Sequence, residues 1–392
     1  MREILDKKRR KISEIWNNYI WEYKFCNSKI KFTDDVKSNY FGDILNYFSD
    51  TFDIIYADKK TEVFSENIEN SISLLQAVYI QQDFIEELLH IFKCNIDKGS
   101  LKQDANYSTN RELRNELVGH PIRKIDVDGT RQLLSSTLFS NSVNDKQISY
   151  LRYHKANNYK FEEIKHLKTD IIKRHSCFVE TYFDIIIQKL KGILKSFKLK
   201  LEEIENVIQN APFENVVKIV TDSFEHIFKT SYLYNPEILK NIYNLKDKNK
   251  RYLNAIEMFY KDLNQSLKER KEEITELIND KDRHSNIRNE ETIVPKITTY
   301  LENSEDDSST NEKLQQKNYP KIFHYEMSKL ISRDDAYNFT FCTSLLKNKF
   351  NHNKLVISEI ENMKLNFSDT LEYYCSYYLI DKLLIKEINT SH

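Results

Sequence analysis

Residues that break helices are scarce along this chain, with five glycines and five prolines among 392 residues. Both tend to sit where backbone geometry requires them, so the long stretches between them are free to wind without interruption. The apolar residues agree. Between 70 and 93, Ile72, Leu75, Val78, Tyr79, Ile85, Leu88, Leu89 and Phe92 recur at helical spacing and mark a broad apolar face, with Gln81, Gln82 and Asp83 on the other side. The same spacing predicts helices over 2–25, within 32–56, over 130–139, 159–171 and 177–200, and in shorter pieces at 202–208 and 215–228. In 246–283, Leu253, Ile256, Phe259, Leu263, Leu267, Ile274 and Leu277 form a coiled-coil-like seam.

There is no internal repeat and little strand signal, so the expected fold class is all-α. The expected order is an N-terminal helical bundle over 1–145, a helical region over 146–283, a polar linker over 284–318 and C-terminal helices over 319–392. The linker follows from Ser304–Gln316, which is almost wholly polar. The stripe Tyr373, Tyr374, Tyr377 and Tyr378 near the C-terminus reads as core.

Charge narrows the function classes. Basic residues number 59 against 60 acidic ones, which excludes a globally basic nucleic-acid coat. The run Lys7–Lys11 reads as the wet face of an N-terminal helix. No apolar run approaches the roughly 20 residues that span a bilayer, and the N-terminus lacks a secretory apolar stretch. The five cysteines are far apart and form no CxxC pair. The expectation is a cytoplasmic protein with reduced thiols, no structural metal and no cofactor. Cys177 reads as a buried helix cysteine.

One short segment departs from this regularity. Leu113-Arg114-Asn115-Glu116-Leu117-Val118-Gly119-His120-Pro121 gathers a cation, an imidazole, a glycine and a proline. Thr109 with Glu112 resembles a capping box, so a helix is expected to start near Asn110 and to continue through Val118. On an ideal helix, side chains six positions apart lie about 120° apart. Arg114 and His120 can meet only if the helix ends between them, and Gly-His-Pro supplies that ending. Asp126-Val127-Asp128-Gly129 reads as a turn.

Arginine, histidine and a polar neighbour suit cleavage of RNA by its own 2′-OH. That reaction takes one proton and returns another, which an imidazole with an unperturbed pKa near ~6.5 can do at neutral pH. Charge gathers on the phosphate oxygens, where a permanently charged, forked guanidinium stabilises it. On this reading His120 is the general acid and base, Arg114 the phosphate stabiliser and Asn115 the positioner. Arg111 and Arg123 flank the motif as RNA-phosphate contacts, and Asp83 is a possible orienting residue.

Arg114, Asn115 and His120 match the R-φ-x(3–5)-H pattern, and the run Gln76–Asp83 looks like the helix that precedes it, so residues of about 35–145 resemble the HEPN superfamily of helical-bundle proteins. The resemblance implies a four- or five-helix bundle that dimerises so that two motifs face each other. It also implies metal-independent RNA cleavage leaving 2′,3′-cyclic phosphate, in a toxin or anti-phage role. With one motif in the chain, a composite site requires a homodimer. An antitoxin or an activating protein is the expected further partner. The contrasting expectation is a non-catalytic helical module that binds proteins or nucleotides.

Overall fold

The paucity of helix breakers is expressed as long helices. The computed structural model describes the chain apart from residues 38–39, 58, 98, 139–142, 224–235, 280–322, 334–335 and 391–392. The expected linker at 284–318 lies outside the described residues. Two compact units are present, Met1–Lys200 and Leu201–His392. The first therefore extends past the division expected at 145.

In the first unit, α1 (Arg2–Ile15), α2 (Lys24–Asn27), α3 (Asp34–Lys37), α4 (Tyr40–Tyr56), α5 (Phe64–Ile91) and α6 (Ala105–Arg114) precede a sheet, and α7 (Lys168–Asn210), whose last residues belong to the second unit, follows it. Aromatic rings lock the helices together. Trp16 stacks on Phe41 at 3.8 Å, Phe48 meets Phe183 at 5.2 Å and Tyr107 meets Phe178 at 5.4 Å between ring centres. Rings of this kind each bury a large apolar area and dominate a core of this size. Helix α6 starts earlier than expected, because Asp104 rather than Thr109 is its cap. The Asp104 carboxylate accepts from the Asn106 backbone N–H at 2.8 Å.

The fold is mostly helical, but it is not all-α. Four strands, β1 (Ile122–Val127), β2 (Thr130–Leu138), β3 (Gln147–His154) and β4 (Phe161–Leu167), form an antiparallel sheet in sequence order. Of the helices expected at 130–139 and 159–171, Thr130–Leu138 and Phe161–Leu167 are strands, whereas α7 takes up from Lys168. The turn at 126–129 is where it was expected. Asp128 and Gly129 carry φ of 51° and 75° and close the β1–β2 hairpin, as Asp-Gly does in tight hairpins. One face of the sheet packs on the helices through Ile148, Tyr150, Leu138 and Ile164, against Ile55, Leu74, Val78, Leu113 and Leu117.

Why the strands escape a periodicity reading is visible in β4. Phe161, Ile164, Leu167 and Ile171 sit at helical intervals. The inward positions Glu162, Ile164 and His166 carry one apolar residue, so the alternation that marks a half-buried strand is absent.

The second unit holds α8 (Phe213–Asp222), α9 (Pro236–Leu245), α10 (Lys250–Ile278), α11 (His324–Ser332), α12 (Ala336–Lys349), α13 (Lys354–Leu365) and α14 (Thr370–Thr390). Most of the α10 seam is buried, with Leu263, Leu267 and Ile274 at 1% exposure or less, whereas Leu253 is exposed. Tyr373 and Tyr374 donate to the carbonyls of Leu330 and Ile331 at 2.7 and 2.8 Å. Tyr373 and Tyr377 lie in the core, as their spacing suggested.

Candidate functional site

The motif stands where α6 gives way to a π-helical turn, Asn115–Gly119, before the chain leaves as β1. The His120 N–H donates to the Asn115 carbonyl at 2.6 Å, and His120 adopts φ −141° and ψ 65°. Gly-His-Pro thus ends the helix, and the His120 side chain is exposed. It makes no hydrogen bond or ion pair among the described residues.

Arg114 is held by α5. Its Nε and Nη2 donate to the Gln76 side-chain oxygen at 3.1 and 3.0 Å, and its Nη1 donates to Asn115 Oδ1 at 3.1 Å. Its guanidinium lies 4.0 Å from the centre of the Tyr79 ring, a geometry in which the ring face attracts the cation. These bonds occupy three of the five guanidinium N–H groups, all of them on neutral amide oxygens. No carboxylate of the described residues pairs with Arg114. Gly119 lies against this group, and a Cβ there would sit 2.8 Å from Arg114 Nη1.

The neighbouring arginines are compensated. Arg111, one helical turn before Arg114, donates to Asp83 at 2.7 Å and lies between the rings of Tyr79 and Tyr107. Burial disfavours its charge, but Asp83 outweighs that and raises its pKa. Asp83, offered above as an orienting residue for the motif, therefore serves Arg111. Arg123, on β1, lies 3.9 Å from Glu116. Arg111 and Arg123, read from sequence as phosphate contacts, both begin from ion pairs.

Glu116 ties the motif to the sheet. It is 5% exposed and accepts from Arg152 through two bonds of 2.7 Å and from Ser136 at 2.6 Å. Burial works to raise its pKa, but Arg152 and Ser136 prevail and hold the carboxyl below the usual range. A buried polar network of this kind is stabilising only when each member is satisfied.

Sequence reasoning missed Gln76 and Tyr79 as the partners of Arg114. A signal for them was available: Gln76, Tyr79 and Asp83 share one face of α5 at steps of three and four, matching Arg111 and Arg114 on an antiparallel α6. Gln81 and Gln82, placed by periodicity on the wet side, are fully buried. Gln81 donates to the Phe48 carbonyl and to Thr51, and its oxygen accepts from His175 Nε2 at 2.7 Å. Burial pushes the His175 pKa down to about 3, so this imidazole is neutral. Cys177, expected to be buried, is exposed.

Among the described residues, no helix is long and apolar enough to cross a membrane. No group of three or more His, Cys, Asp or Glu side chains there could hold a metal ion. No family model, curated protein or solved structure matches the chain.

Proposed function

We propose that this chain is a metal-independent endoribonuclease of HEPN type, acting in the cytoplasm as a homodimer in a toxin or anti-phage role. The observation that carries the reading is Arg114. In a region where Arg111, Arg123 and Arg152 each face a carboxylate, Arg114 is oriented by amides and an aromatic ring, with two N–H groups unspent. A cation held this way is preorganised for an anion, and a phosphate supplies the charge the protein withholds.

In this reaction the His120 imidazole takes the proton of a ribose 2′-OH as the O2′–P bond forms. The P–O5′ bond breaks, and the departing 5′ oxygen receives a proton. Arg114 stabilises the charge on the non-bridging oxygens, and Asn115 keeps the guanidinium in place. In a homodimer of the first unit, one copy's imidazole takes the proton and the other's returns it. An antitoxin or an activating protein is the proposed regulator.

The test compares wild type with His120→Ala on total RNA in EDTA, with product ends identified. Fragments bearing 2′,3′-cyclic phosphate that vanish in the variant are the expected result. Equal cleavage by both proteins, or cleavage that requires a divalent metal, would sink the reading and leave a helical binding module in its place.

A further inference from the structure

The strand register draws a line across the sheet that begins beside His120. Ile122 pairs with Ser135, Ser135 with Tyr153, and Tyr153 with Phe161. With strands about 4.8 Å apart, this row is roughly 14 Å long. Successive side chains on a strand point to opposite faces. Arg152 and Tyr150 face the helices, so the row faces the other way.

The outer face is apolar and aromatic where it could have been polar. Ile122 is 70% exposed, Phe161 66%, Tyr159 50% and Leu133 42%. The Tyr153 ring lies 5.5 Å from Phe161 and 5.4 Å from Tyr159 between centres. Tyr159 reaches this position from a turn in which Asn158 and Tyr159 have φ of 55° and 57°. That left-handed backbone is unfavourable for a bulky residue, yet it sets a third ring beside the other two. The turn is held by Tyr159 N–H on the His154 carbonyl at 3.0 Å and by Lys160 N–H on the Asn157 carbonyl at 3.1 Å.

The rim is basic. Lys155 and Lys160 bracket the rings on the turn, and Lys124 is exposed on the same face two residues beyond Ile122. Glu163, the acid beside Phe161 on this face, is 3.0 Å from Lys165. Exposed rings on a four-stranded antiparallel sheet can each stack a base, while lysines follow the phosphates.

We propose that this outer face is a stacking platform for single-stranded RNA, which lies along Phe161, Tyr153, Ser135 and Ile122 and is thereby led to His120. Where the strand leads rests on the nuclease reading; the binding itself does not.

The experiment uses the full chain and a fluorescein-labelled 2′-O-methyl oligoadenylate, which lacks the 2′-OH needed for cleavage. Anisotropy should show binding by wild type and an affinity weaker by ~10-fold or more for Tyr153→Leu with Phe161→Leu, since each ring accounts for one stacked base. Phe161 is exposed and Tyr153 half-buried, and circular dichroism checks the fold of the variant. A second measurement, photocrosslinking of a 4-thiouridine oligonucleotide to wild type, should label the peptide holding Tyr153 or Phe161. Equal affinity of the two proteins, no measurable binding by either, or labelling confined to other peptides would overturn the platform. So would conversion of a dimer to a monomer without change in RNA affinity, because a second copy would then cover this face. Cleavage lost in His120→Ala beside unchanged binding in the sheet variant leaves the nuclease and removes the platform. Binding lost in the sheet variant by a protein that cuts no RNA does the reverse.

Discussion

Helix α5 carries two polar regions that end differently. Around Gln81 nearly all groups close on one another: the amide spans Phe48, Thr51 and His175, all of it is buried, and His175 Nδ1 alone of this group has no partner among the described residues. Around Gln76, a little over one turn earlier, the amide holds Arg114 from one side only, and the guanidinium keeps donors to spare. Both regions use glutamine to orient a nitrogen base. The first spends its hydrogen-bonding capacity on the fold, because an unmet polar group is costly in a dry interior. The second is half-buried, and on the proposed reading its remaining donors are kept for an anion. On that reading, closure marks structure and a preorganised remainder marks a site.

If that contrast is sound, substitutions in the open region should cost activity and those in the closed region stability. The largest effect expected is on RNA cleavage by Arg114→Ala, a fall of about 100-fold or more from the loss of one preorganised charge. Urea denaturation should show a loss of stability of about 1 kcal/mol at most, since this half-buried side chain bonds only neutral amides. An equal loss of stability would erase the distinction.

Glu116→Ala tests the junction between the motif and the sheet. It leaves Arg152 unpaired beside Ser136, and equilibrium unfolding should report a loss of about 2–3 kcal/mol. That lies toward the lower side for breaking a buried pair, since Arg152 is 31% exposed. The same carboxylate has a sign in pH. Its folded pKa is depressed, so its stabilisation is present above the ordinary carboxylate pKa and is lost as pH falls through the folded value.

His175 works in a different window. Its folded pKa is about 3 against about 6.5 unfolded. Below the unfolded value the unfolded chain binds the extra proton, so stability falls as pH drops from there toward 3. From pH 7 to pH 5, wild type should lose about 2 kcal/mol that His175→Asn does not lose. Parallel unfolding curves for the two proteins would show that this imidazole is not the buried, neutral group described.

The smallest effect belongs to Gly119→Ala. The added methyl would meet Arg114 Nη1 at 2.8 Å, so the guanidinium must move. Cleavage should drop about tenfold, equivalent to about 1.4 kcal/mol, with little change in Tm. Unchanged kinetics would mean that the orientation of Arg114 is unimportant.

The motif itself was legible because its parts are local. Arg114, Asn115 and His120 lie within one turn and its ending, and glycine and proline mark that ending in the sequence. The predominance of helix was legible for the same reason, as was the Asp128-Gly129 turn. The sheet was not. Its inward positions hold Glu162 and His166, which interrupt the apolar alternation, and Ser136 and Arg152, polar residues that a partner makes tolerable there. The partner of Ser136 and Arg152 is Glu116, which the sequence displays as an ordinary charged residue of a helix.

Sequence alone determined most of where the chain winds and where the motif's helix stops, because periodicity and the backbone limits of glycine and proline act over a few residues. Tertiary structure decided which charges are spent. Arg114 and Gln76 are 38 residues apart, Glu116 and Arg152 are 36, and His175 and Gln81 are 94. No local pattern fixes such pairings. They exist because helices and strands already formed must bury their apolar faces together, and each buried polar group then needs a partner from whatever that packing brings near.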